Sequence, residues 1–139
     1  RCLMRELTPV AHQEIVRGLG ARGVSEVAAM EVARLSGGRP GLALRLAADA
    51  ALLNRYRLWD AAIRSPGGTV RSRHELAQSF GSPEDAEEFL VFLQGTVRSR
   101  PKFPILLRRS REGVAMVRQH VPPDLAVEYV LGGLDSGLP

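Results

Sequence analysis

Gly37-Gly38-Arg39-Pro40-Gly41 is where residue types and spacing come nearest to a ligand-binding loop. Free backbone N–H groups at a helix start, with Arg39 beside them, can face an anion. The phosphate-loop pattern Gly-x-x-x-x-Gly-Lys-Ser/Thr is not met, since no Lys-Ser/Thr follows and no apolar strand precedes. Taken alone, the stretch reads as a tight turn between two helices, with glycine ending the first. Arg39 and Arg45 flank it, either as solvated side chains or as contacts to a phosphate or a neighbouring subunit.

Other constellations offer less chemistry. His12, His74 and His120 are far apart, and none sits in a His-x-x-x-His or Cys-x-x-Cys frame, so no metal site is expected. Glu84, Asp85, Glu87 and Glu88 gather at a predicted helix N-terminus, where carboxylates favour the positive end of the dipole. Asp124 and Glu128 lie one helical turn apart and can share a face, with nothing nearby to complete a site. Arg108, Arg109 and Arg111, with Arg118 further on, form the densest basic run. It reads as a solvated helix face, because no aromatic stacking partner is interleaved.

These residues sit on a chain of 139 residues with 45% hydrophobic content, enough for one ordinary domain or two small helical ones. Its net charge is +4, and every cationic side chain but Lys102 is arginine. The arginines are scattered over every predicted helix but the last and not clustered into an electrostatic footprint for nucleic acid. One cysteine, Cys2, rules out an internal disulfide and suits a reducing cytoplasm. No apolar run approaches the ~20 residues of a membrane-spanning helix. From these two features a cytoplasmic location is expected. The chain begins at Arg1 and reads as the C-terminal fragment of a longer protein, so any catalytic half would lie upstream.

Helical periodicity dominates, and the expected fold class is all-α. Arg1 to Leu7 reads as a strand end or connector. Thr8-Pro9 predicts a helix start, from hydroxyl cap and first-turn proline, with the helix running through Ile15, Val16 and Leu19 to Gly20. Ser25 caps a second helix, expected to bury Val27, Met30, Ala33 and Leu35 and to stop at Gly37-Gly38. Pro40 starts a third, carrying Leu42, Leu46, Ala50 and Leu53 on one face and ending between Tyr56 and Trp59. Ser65-Pro66-Gly67-Gly68 is the clearest break. Beyond it, helices are predicted over Val70 to Phe80, from Ser82-Pro83 to about Arg100, from Ile105 to His120, and from Pro123 to about Leu131. The expected organisation is a small three-helix domain over 1–57 and a helical domain over 58–139.

The order of signals resembles a known family. Arg1-Cys2, Leu7-Thr8-Pro9, a helix with Glu14-Ile15, a second with Ala33-Arg34-Leu35-Ser36, then Gly37 to Leu44 resemble the lid of bacterial DNA polymerase III clamp-loader subunits of the AAA+ class, most closely the delta-prime branch. In that family a Ser-Arg-Cys motif ends the ATPase-like core, and a Gly-Ser-Pro-Gly-x-Ala-Leu type sequence opens the last lid helix. The likeness covers about Arg1 to Leu53. It implies that Arg1 is an arginine finger reaching in trans into the ATP site of a gamma/tau neighbour, where a guanidinium stabilises transferring phosphoryl charge. It implies that Gly41 stands where hydrolysing paralogues carry a lid arginine, so this segment binds no nucleotide cofactor and hydrolyses nothing in cis. Residues 58–139 would then be the helical collar that holds the ring together. The implied partners are gamma/tau and delta subunits, with primed DNA and the sliding clamp met through the complex, and no membrane. Two alternatives stay open: the lid and collar of an ATP-hydrolysing gamma/tau-type subunit, or a helical DNA-binding module with a recognition helix near Val70 to Phe80.

Overall fold

The computed structural model describes residues 8–64, 70–98 and 104–133. Eight helices and no strand occur among them, an all-α fold: α1 (His12–Gly20), α2 (Glu26–Ser36), α3 (Pro40–Ala48), α4 (Ala50–Arg64), α5 (Val70–Gln78), α6 (Pro83–Arg98), α7 (Pro104–Arg118) and α8 (Pro123–Leu131). The chain packs as two compact units, Arg1–Asp60 and Ala61–Pro139. Among the described residues no helix is long and apolar enough to cross a membrane. Arg1 and Cys2, the connector to Leu7 and the Ser65 to Gly68 break lie outside the described residues.

In the first unit α1 packs on α2 and α3, and α2 on α3. Ile15 and Leu19 of α1 are buried, as are Val32, Ala33 and Leu35 of α2 and Leu42, Ala43 and Leu46 of α3. Three expectations fail here. The first helix starts at His12, not at Thr8-Pro9. Pro9 and Val10 instead run past the α2–α3 turn, where the Val10 N–H donates to the Gly38 carbonyl at 2.9 Å. The inward face of α2 is rotated from the one expected: Val27 is 81% and Met30 52% exposed, while small Ala29 and Ser36 are buried. Small residues on that face let neighbouring helices come close, a gain that hydrophobicity alone does not rank.

The third correction concerns the long helix expected from Pro40. It breaks at Asp49, whose backbone is extended (φ −124°, ψ 103°). The Asp49 carboxylate accepts from the Ala51 and Leu52 N–H groups at 2.9 and 3.0 Å, so Asp49 ends α3 and caps a separate α4. Leu52, Tyr56 and Trp59 form the buried side of α4 in this unit, and the Tyr56 and Trp59 rings lie 4.9 Å apart, tilted by 47°. Four helical segments therefore contribute where three were expected.

In the second unit α6 packs on α7 and α8, α7 on α8, and α5 on α8. Ser82 caps α6 by accepting from the Asp85 N–H at 3.1 Å. Ala86, Phe89, Leu90, Leu93 and Val97 are buried as the periodicity predicts, with Phe92 added. Gly113 sets how closely α7 approaches its neighbours. A Cβ there would lie 2.6 Å from Val130 Cγ2 and 3.2 Å from Leu90 Cδ1.

Candidate functional site

The α2–α3 turn is built from backbone geometry that most residues avoid. Gly37 (φ 58°, ψ 39°) and Gly38 (φ 82°) both lie in the left-handed region, where a side chain costs about 1–2 kcal/mol. Gly38 is required twice over, because a Cβ on it would sit 2.6 Å from the Pro9 Cβ and 3.1 Å from the Val10 carbonyl oxygen. Around Gly37 the space is open. Chain entry and turn are thus pressed together.

Arg39 follows as the residue before α3, and Pro40 takes the first helical position, where its missing N–H forfeits no bond. The Arg39 backbone N–H and side-chain Nε both donate to the Ser36 carbonyl, at 3.2 and 3.0 Å. Ser36 is buried and its hydroxyl donates to the Ala33 carbonyl at 2.9 Å. The half-buried Arg39 therefore satisfies the end of α2. Gly41 lies in the first turn of α3, exposed, and a Cβ on it would meet nothing within 4 Å. The exposed helix start favours negative charge through its dipole, and Gly41 adds no side chain to it.

Two pairs that sequence reasoning overlooked lie on α2 and α4. Arg34 Nη1 donates to Asp60 Oδ2 at 2.7 Å, and Arg57 forks onto Glu31, Nε to Oε1 at 2.8 Å and Nη2 to Oε2 at 2.6 Å. The Arg57 hydrogen bond holds the Glu31 carboxyl below its ordinary value, against a smaller opposing push from burial. Their spacing was the available signal: an acid and a base three residues apart on one helix, a base and an acid three apart on the other.

In the second unit the basic run is drawn into local pairs. Arg108 Nε lies 3.6 Å from Glu112 Oε1, and Arg118 donates to Glu87. Arg109 stacks 5.2 Å from the Tyr129 ring centre and donates to the Tyr129 carbonyl at 3.4 Å, at the end of α8. The Tyr129 hydroxyl donates to Glu112, which pushes the phenol above its ordinary value. Arg111 is exposed. Asp124 and Glu128 do share a face, and meet Gln78 and His74 of α5 at 3.2 Å each. His12 and His120 are exposed. Among the described residues no group of three or more His, Cys, Asp or Glu is placed to hold a metal ion.

The structure thus brings Gly37, Gly38, Arg39, Pro40 and Gly41 into one tight exposed turn braced by Pro9 and Val10, while Arg1 lies outside the described residues. Set against family models, curated proteins and solved structures, the chain matches none.

Proposed function

We propose that this chain is the lid and collar of a non-hydrolysing, delta-prime-like subunit of a bacterial DNA polymerase III clamp loader, working in the cytoplasm during DNA replication. The observation that carries the reading is Gly41: it lies in the first turn of α3, exposed and with open space about it, and carries no charge to sense a phosphate. Arg39, two residues earlier, leaves the turn in another direction, with its Nε tied to the Ser36 carbonyl at the end of α2. In this reading Arg1 is a finger supplied in trans to a gamma/tau neighbour, making hydrolysis there depend on assembly. The second unit would act as the collar, and contacts with primed DNA and the sliding clamp would come through the complex.

The test is co-purification of the full subunit with gamma/tau and delta. A stable ternary complex, in which substituting Arg1 lowers ATP hydrolysis by the assembly without loosening it, is the expected result. A well-folded subunit that fails to join the other two ends the reading.

A further inference from the structure

The two ion pairs between α2 and α4 are matched rungs whose polarity reverses. Glu31 pairs with Arg57 and Arg34 with Asp60, and both pairs are separated by 26 residues in the chain. The helices therefore run in the same sense here. Acid then base on α2 faces base then acid on α4. Asn54, one turn back on α4, steadies the first rung by accepting from Arg57 Nη1 at 3.0 Å.

We propose that these reversed rungs are a register lock that fixes where α4 lies along α2. Sliding α4 by three residues, about 4.5 Å at 1.5 Å per residue, sets Glu31 against Asp60 in one direction. In the other direction it sets Arg34 against Arg57. Either slip trades two attractions for a repulsion between like charges. The apolar side of α4 adds to this discrimination: a three-residue slip sets Trp59 in the place of Tyr56 or the reverse, but brings Arg55 or Asp49 to the buried place of Leu52. The break at Asp49 interrupts the helix from α3, yet this one residue is the whole link between them, so a slip also has to unwind a helix end.

The lock is tested on the whole chain with C2S, M30C and L58C, spin-labelled at the last two positions, which are 52% and 70% exposed. Pulsed electron–electron resonance reads the distance between labels. The parent gives one narrow population. E31R/R57E keeps the net charge and the first rung, but now either slipped register is attractive, so a second population appears. Reversing the second rung as well, with R34D/D60R added, restores the alternation and returns a single population. A double variant that stays single overturns the lock. So does a fourfold variant as broad as the double, or a double that loses helical circular dichroism while the fourfold variant keeps it, because the lock leaves in-register pairing intact.

Discussion

Arg34 reaches from α2 to Asp60 on α4 at 2.7 Å, and the two ends of this contact are unequally wet: the Arg34 side chain is 41% exposed and that of Asp60 10%. The asymmetry decides which partner is harder to lose. Without Asp60, the Arg34 guanidinium can return to water. Without Arg34, the Asp60 carboxylate stays buried and has lost a charged donor, a loss on the order of 1–3 kcal/mol. Arg34→Met is therefore expected to destabilise the chain more than Asp60→Asn, as read from urea midpoints at constant slope. Equal losses, or a larger one for Asp60→Asn, would contradict the assignment.

The neighbouring rung gives a pH dependence with a definite sign. Glu31 is held below its ordinary value near 4.5, first by the hydrogen bond from Arg57, with the charges of Arg57 and Arg34 adding to it. A carboxyl whose folded pKa is depressed stabilises the fold above its unfolded pKa. That contribution fades as pH falls through the lower, folded value. Wild type is expected to exceed Glu31→Gln in melting temperature by a constant margin at neutral pH. The margin should narrow below about pH 4.5, and one unchanged down to pH 3 would refute the account. Because Arg57 is exposed, added salt should shrink the same margin.

Much of the helix punctuation was legible because it is local. Ser25, the Gly37-Gly38 pair, Ser82-Pro83 and Pro123 act on backbone groups within a turn of themselves, and α2, α6 and α8 begin or end where they indicate. The misreadings required partners distant in sequence. Thr8-Pro9 has the form of a helix start, yet Val10 donates to the carbonyl of Gly38. Val27 and Met30 outrank Ala29 and Ser36 in hydrophobicity, yet the small residues face the neighbouring helices. Asp49 was the exception, since aspartate within a run of alanines is a better cap than helix interior. At the candidate site the glycines of the turn were readable, whereas Arg39's engagement with Ser36 and the wedge of Pro9 against Gly38 needed three dimensions.

The two turn glycines should respond differently to the same methyl group. Gly37→Ala meets only the left-handed backbone penalty, about 1–2 kcal/mol, because the space around it is open. Gly38→Ala meets that penalty and also a clash with Pro9 and the Val10 carbonyl, so the chain entry has to move. Gly38→Ala is expected to lower the unfolding midpoint clearly more than Gly37→Ala. Pairing it with Pro9→Gly should recover part of the difference, and no recovery would show that Pro9 is not the obstacle.

Gly41→Arg asks whether the fold itself excludes an arginine from this position. Two small effects oppose each other. Replacing glycine by arginine inside a helix gains up to roughly 0.8 kcal/mol in propensity, less at the first turn. A cation at a helix N-terminus loses about 0.3–1 kcal/mol to the dipole. With nothing within 4 Å of the new Cβ, packing adds no third effect. The sum lies near zero, so the thermal midpoint of Gly41→Arg should match wild type closely in a scanning calorimeter. A large loss of stability would mean that glycine is kept here by packing. An unchanged midpoint would leave the missing side chain without a structural reason, and only then does its absence bear on what the turn faces in an assembled complex.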